Sequence, residues 1–383
     1  MKAKSIKGKS LEEIQLALEK SIGEGFTPTL AIIFISIKQD RKALMDLLHE
    51  MGIDIIGATS SGEFIDGHED EGSTVILLLD VNKNYYTILL EDIGDRSLDE
   101  AATKMAKDAL YKFSNPAFVL CSTSLLDDGK ILDGETLIRS IEKVTGPESN
   151  IFGGMAGDDI TFTGTYVFTN VQTTKHGMVA LVLDANKIAL HGMAISGWKP
   201  IGVSRTITKS ENNLIYTIDD KPALEMYLRF LGSDLSQVDQ QIKFFESLGN
   251  QYPFQIEREG REPMMCNPMG YDHEKGALIC ESNIVQGARF RFSTPPDFDI
   301  METIVEKANE MKGDKDADAL LIFSCVGRLA ALGPMAHQEN EGLYHVWKVP
   351  MAGFYTYGEY GRAVNGKHEF HSTTNSWVAL KEK

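Results

Sequence analysis

The sequence predicts an α/β protein: repeated αβαβ units around a central, largely parallel or mixed sheet, plus a second α+β domain with antiparallel strands. Three observations carry this. An amphipathic helical pattern followed by a short unbroken apolar run occurs three times along the 383 residues. Each occurrence leads to a glycine-marked segment and then to another apolar run. Between the second and third occurrences, residues 186–296 break the pattern with strand-like runs that suit antiparallel pairing.

In the first unit, Ser10-x-x-Glu13 reads as a capping box, and Leu11, Ile14, Leu18 and Ile22 follow at the spacing of one helical face. Ser97-x-x-Glu100 opens the second helix, with Leu98, Met105 and Leu110 on its apolar side. Asp299 opens the third, carrying Met301, Ile304, Val305 and Ala308. After a break at Thr27-Pro28, Asn115-Pro116 or Gly313-Asp314 come the runs Leu30–Ile35, Ala117–Leu120 and Ala319–Phe323, which read as buried central strands. Helices are expected next at Arg41–Met51, at Glu135–Val144 and near Met335–Asn340. Glycine-marked turns follow at Ile55–Phe64, Ile151–Asp159 and Met351–Tyr360, the first and third sharing Gly-x4-Gly-Glu-aromatic. The closing strands are Thr74–Leu79, Met178–Leu183 and Trp377–Leu380. The intervening stretch offers strands at Lys187–Ile195, Gly276–Val285 and Ala288–Phe292, and helices at Pro222–Leu231 and Leu235–Phe245.

A chain of this length exceeds one usual hydrophobic core, so two domains are expected, residues 1–196 and 197–383, with 297–383 repeating the N-terminal pattern. The formal charge of -17, from 38 basic and 55 acidic side chains, repels phosphate polymers and anionic lipid surfaces. Nucleic acid and membrane insertion are therefore not expected. No apolar run is long enough to cross a bilayer. The basic N-terminus lacks the apolar core and cleavage site of an export signal, which points to the cytoplasm. Cys121, Cys266, Cys280 and Cys325 are far apart, without a CxxC, and suit reduced core residues better than bridges or metal ligands.

If equivalent loops converge beyond the carboxyl ends of the strands, where open α/β sheets bind ligands, they supply an amphoteric set. Glu63, Asp158, Asp159 and Glu359 can accept from an ammonium or guanidinium group. Arg328 can clamp a carboxylate, or else pair with one of the acids to fix the loops. Tyr357 and neighbouring aromatics supply walls, and Ser60, Ser61, Ser122, Thr123 and Ser124 neutral partners. A zwitterion such as an amino acid matches both charges. Gly57-x4-Gly62 lacks the Lys-Ser/Thr of a phosphate loop, having Glu63 and Phe64 there instead. Cys325 or Ser122 as nucleophile with His337 or His371 as base lacks a recognised motif, so no catalytic residue is assigned. His368 and His371 are the only close histidine pair, and no metal site is assigned.

At these loops the sequence resembles the FIST family of sensory proteins. The resemblance is carried by Gly57–Phe64, Ile151–Asp159, Phe323–Arg328, Pro350–Gly361 and His371–Asn375. Gly197–Gly202, Asn213–Tyr216, Pro222–Tyr227 and Asn267-Pro268-Met269-Gly270 extend it over nearly the whole chain. It implies an N-terminal FIST domain and a C-terminal one, forming a non-catalytic small-ligand sensor for signal transduction, with amino acids as the ligand class. Some members are similar to haem-b nitric-oxide sensors, for which His191, His337 and His371 are the candidates here. The resemblance also implies a separate signalling partner, such as a histidine kinase, chemoreceptor or cyclic-di-nucleotide enzyme, because no output region follows Leu380.

Overall fold

A computed structural model describes residues 1–126, 131–233, 244–364 and 366–383. The expected α/β class is present, built from three copies of one unit and one inserted antiparallel sheet. The first unit runs edge strand Lys2–Gly8, helix Leu11–Gly23, central strand Leu30–Ile35, helix Arg41–Glu50, parallel strand Asp54–Thr59, hairpin Glu63–Ile65/His68–Asp70 and closing strand Thr74–Asp80. The second repeats this order from Tyr86–Asp92 to Gly177–Asp184, around central strand Pro116–Ser122 and parallel strand Ile151–Met155. The third begins with Ile188–Ile195 and ends with Asn375–Glu382, around Ala319–Cys325 and Met351–Thr356.

Local sequence explains the helix starts. Ser97 and Glu100 form the full reciprocal box. Ser10 caps Glu13 N–H, but the Glu13 carboxylate returns to Lys9 N–H rather than to the cap residue. Asp40 and Asp133 cap the second helices of their units, a signal absent from the sequence reading. In the third unit the expected helix near Met335–Asn340 is larger: Val326–Leu332, a 3-10 turn at Gly333–Met335, then His337–Trp347.

Two expectations are corrected. The segments read as glycine turns contain, in their first halves, the second parallel strand of each unit. Their glycines serve close approach as well as turning: a Cβ on Gly153, at φ +148°, would lie 1.8 Å from the Leu120 carbonyl oxygen. Ile188–Ile195, placed in the pattern-breaking stretch, instead pairs antiparallel with Asn375–Glu382 beside the third central strand. Its alternating burial, open on one face, mimics a strand of the inserted sheet.

The hairpins do not stay in their own sheets. The first pairs with Met351–Thr356 of the third unit, the third with Ile151–Met155 of the second, and the second (Val167–Phe168/Thr173–Thr174) with Asp54–Thr59 of the first. This cyclic exchange ties the units together. The inner sheet faces share one core that includes Phe34, Val119, Leu181, Phe323, Phe354 and Leu380. Each outer face buries its own helices against a separate cluster.

The described strands between residues 199 and 294 form the inserted sheet, antiparallel in its pairings as expected. Its edge strands are Met264–Cys266 and Pro268–Asp272, neighbours in sequence joined through Asn267 alone. The two ends of the sheet are therefore brought together at Asn267. Helix Ala223–Leu231 matches the expected one and packs into this domain's core. Of the second expected helix, Leu235–Phe245, residues 235–243 lie outside the described ones, and Phe245–Gly249 is a π-helical turn.

Candidate functional site

The expected site residues are nearly all buried, and their partners are protein groups. Glu63 accepts from Ser60 Oγ and from Ser73 N–H and Oγ, at 3.0 and 2.9 Å for the last two. Glu359 repeats this, accepting from Thr356 Oγ1 and from Thr374 N–H and Oγ1, at 3.0 and 2.8 Å. The two acids are matching pins that lock the exit of a parallel strand onto the closing strand of the same unit. Burial raises Glu63 from 4.5 to about 7 and Glu359 to about 8, opposed in part by these donors.

Arg328 is fully buried and forms a bidentate pair with Glu339 of the following helix. Its Nη1 donates to the carbonyls of Ser196 and Thr373 at 2.6 and 2.7 Å, and its guanidinium lies 5.4 Å from the Trp198 ring centre. The guanidinium is thus committed to the chain leading into the inserted sheet, and its acid partner is Glu339 rather than a loop acid. Ser122 Oγ bonds Tyr360 OH at 2.7 Å, Thr123 Oγ1 accepts from Gly177 N–H at 3.1 Å, and Ser124 Oγ donates to the Ala156 carbonyl. Ser61, Asp158 and Tyr357 do come together: Ser61 Oγ accepts from Asp158 N–H, and Tyr357 OH donates to Asp158 Oδ1. Asp159 lies beside the first pin, its N–H donating to the Ser60 carbonyl and its carboxylate accepting from Ser36 Oγ at 2.7 Å.

Among the nine residues expected to bind ligand, Tyr357 alone lines the cavity at which the inserted sheet meets the loop ends. Cys325 and Val326, at the end of the third central strand, form one wall. Leu125 and Phe162 come from the second unit, and Phe245, Asn250, Asn267, Met269 and Glu281 from the insertion. The edge-to-edge junction explains the polar wall. Asn267 N–H and Nδ2 donate to the two oxygens of Glu281, at 2.8 and 3.1 Å, and Nδ2 also donates to Ser372 Oγ. Asn267 Oδ1 is buried and has no hydrogen-bond partner among the described residues. The π-turn reaches this junction because Gly249 has no side chain: a Cβ there would stand 1.8 Å from the Pro268 carbonyl oxygen. Burial raises Glu281 to about 7 against the donors from Asn267 and Ser372.

This part of the lining combines an amide oxygen that has no partner among the described residues with a carboxyl group whose pKa burial raises to about 7. Facing it are the rings of Phe162, Phe245 and Tyr357. The cavity holds about 20 Å³, room for about one water. Sequence reasoning missed Asn250, Asn267, Glu281, Phe162 and Phe245. Of these, Asn267 alone lay in a segment that carried the family resemblance, Asn267-Pro268-Met269-Gly270.

Nucleophilic chemistry finds little support. Burial drives the Cys325 thiol well above its ordinary pKa, and among the described residues no histidine is hydrogen-bonded to Cys325 or Ser122. Haem also fits poorly at the three candidate histidines. His337 Nδ1 donates to the Pro334 carbonyl near the surface, and His191 sits within a paired strand. His371 borders a cleft of about 230 Å³, less than the roughly 300–1,000 Å³ of drug-sized pockets. Among the described residues, no cluster of three or more metal-binding side chains occurs, and no helix is long and apolar enough to cross a membrane.

Residues 29–221 match the FIST N domain and residues 223–362 the FIST C domain. The chain is also similar to an uncharacterized protein of Methanocaldococcus jannaschii, at 23% identity over 351 residues, covering 82% of this chain and 63% of that protein. It thus spans less than two thirds of the length of that relative. With both domain matches in chain order over the units and the insertion described above, the chain belongs to the FIST family, whose domains are associated with small-ligand sensing and signal transduction rather than catalysis.

Proposed function

We propose that this chain senses an amino acid, bound in the cavity between the inserted sheet and the loops of the second and third units. The observation that carries the reading is the buried, unpartnered Asn267 Oδ1 beside Glu281. An unsatisfied buried acceptor costs free energy, and an ammonium group donating to it while facing Glu281 removes that cost. Asn250 offers a neutral amide for the other end of the ligand, and Phe162, Phe245 and Met269 an apolar surface for its side chain. Because Arg328 is held by Glu339, ligand recognition does not rest on a guanidinium clamp.

An amino acid is larger than the space in this form, so binding requires the walls to part. The ligand then shifts the balance of forms by its differential affinity for the wider one. The change would be read by a separate cytoplasmic signalling protein, of which a histidine kinase, chemoreceptor or cyclic-di-nucleotide enzyme are the kinds in view. The test is calorimetry with the twenty amino acids on the wild type and on Asn267→Ala, Glu281→Gln and Glu359→Gln. Binding should weaken at least tenfold in the first two and persist in the third. Titrations in which no amino acid binds, or in which the first two variants bind as the wild type does, would refute the proposal.

A further inference from the structure

The loop that delivers Phe162 is strained in an unusual way. Asp159, Ile160 and Phe162 have φ values of 54°, 59° and 53°, the left-handed region that disfavours β-branched and aromatic residues. Such outliers persist only where surrounding contacts hold them. The loop base is well anchored: Asp158 Oδ2 accepts from Thr163 and Gly164 N–H, Asp158 O from Thr161 N–H, and Asp159 N–H donates to the Ser60 carbonyl. The tip is held mainly by one ring. Phe162 stacks on Tyr357 at 5.6 Å between centres and 15° between planes, and meets Phe245 edge-on at 6.2 Å. Thr161 and Thr163 are exposed, Ile160 is 39% exposed, and Phe162 itself is half-buried. The ring therefore reaches inward from the surface and covers a cavity too small for any ligand bigger than water.

Strain at the three residues opposes the closed form, and the contacts of one ring favour it. We infer that Phe162 is a gate: its ring closes the cavity, and relaxation of residues 159–162 swings it out to admit a ligand whose size the ring limits. This rests on the proposed use of the cavity for binding, but the gate can be measured without the natural ligand. Glycine adopts the left-handed region freely, so Ile160→Gly removes strain from the closed form alone, whereas Phe162→Ala removes the contacts that hold it shut.

The first readout is hydrogen exchange at the Thr163 and Gly164 amides. Ile160→Gly should slow exchange about fivefold, and Phe162→Ala should speed it by a similar factor. The second uses indole as an apolar probe at millimolar concentration in a thermal shift assay. Phe162→Ala should gain a saturable stabilisation, while the wild type responds less and Ile160→Gly least. A loop with only a structural role would change exchange without ordering the three indole responses in this way. Unchanged exchange in both variants, or equal indole responses in all three proteins, would overturn the gate. If no amino acid binds the wild type but exchange and indole behave as stated, the gate stands and the amino-acid reading falls.

Discussion

The twin acid pins make the folded protein sensitive to pH in a direction opposite to that of salt-bridged carboxylates. Glu63 is raised from 4.5 to about 7 and Glu359 from 4.5 to about 8, chiefly by burial. A carboxyl group whose pKa is raised on folding binds protons more tightly in the native state than in the unfolded chain. Its contribution is complete below pH 4.5, falls as the pH climbs towards 7 or 8, and is lost above that. At 1.36 kcal/mol per unit, the two shifts correspond to about 3 and about 5 kcal/mol as upper figures. A domain's whole stability is only about 5–15 kcal/mol, so even half of this sum is visible. The assay is denaturant unfolding followed by tryptophan fluorescence between pH 5 and 9 at fixed ionic strength. The midpoint should fall steadily over this range. Glutamine at both positions keeps an acceptor for the Ser73 and Thr374 amides and cannot ionise, so Glu63→Gln/Glu359→Gln should reduce the slope to the part that Glu281 retains and match or exceed the wild type at pH 9. Stability that rises from pH 5 to 8, or a slope that the double variant leaves unchanged, would refute the reasoning.

Two further outcomes follow from packing. Arg328→Met or Glu339→Met should each cost about 3–5 kcal/mol in denaturant unfolding, because a buried charge is left without its partner. The double Arg328→Met/Glu339→Met variant should recover most of that loss, apart from the bonds Arg328 makes to the Ser196 and Thr373 carbonyls. Gly153→Ala places a carbon 1.8 Å from the Leu120 carbonyl oxygen in the middle of a parallel pair. It should cost at least about 4 kcal/mol and leave little folded protein, as judged by circular dichroism and soluble yield.

What was legible in the sequence is what depends on neighbouring residues. Leu30–Ile35 announces a buried strand because six apolar side chains in a row suit a strand covered on both faces. The triplicate pattern, the Ser97 box and the antiparallel insertion are visible for similar reasons. The parallel strands with central glycines were hidden, because Gly153 is selected by a carbonyl of another strand and reads locally as a turn residue. Ile188–Ile195 was misplaced because its partner lies almost two hundred residues away. Arg328 was singled out as a carboxylate clamp or as the partner of one of the loop acids, and it pairs instead with Glu339, which lay outside that set. Naming Glu339 required knowing that the chain breaks at Gly333 and folds back into a second helix. The cavity residues were hidden more deeply: Asn267 matters because two edge strands meet there, a property of the whole sheet's strand order and of no local pattern.

The cyclic exchange of hairpins also explains why the cavity forms where it does. In each unit the central strand ends beneath loops, so three similar crevices are possible in principle. In the first unit the neighbouring crevice is filled from within, where Glu63 consumes the hydroxyls of Ser60 and Ser73 and Asp159 takes Ser36. In the second, Ser122 is closed off by Tyr360 of the third unit's hairpin, and Ser124 by Ala156 and Thr165. The third unit is different because the insertion interrupts it between its edge strand and its first helix. The sheet that results returns over the end of Ala319–Cys325, with Asn267 and Glu281 on one side and Cys325 and Val326 on the other. A separate folded body thus becomes a wall of only this crevice. Its linking segment is the one Arg328 grips through Ser196 and Trp198, two residues beyond Val326 on the opposite wall. Arg328 is thus one of several links between the insertion and the third unit, beside the bonds that Asn267 and Glu281 make to Ser372 and that Arg258 makes to Glu369.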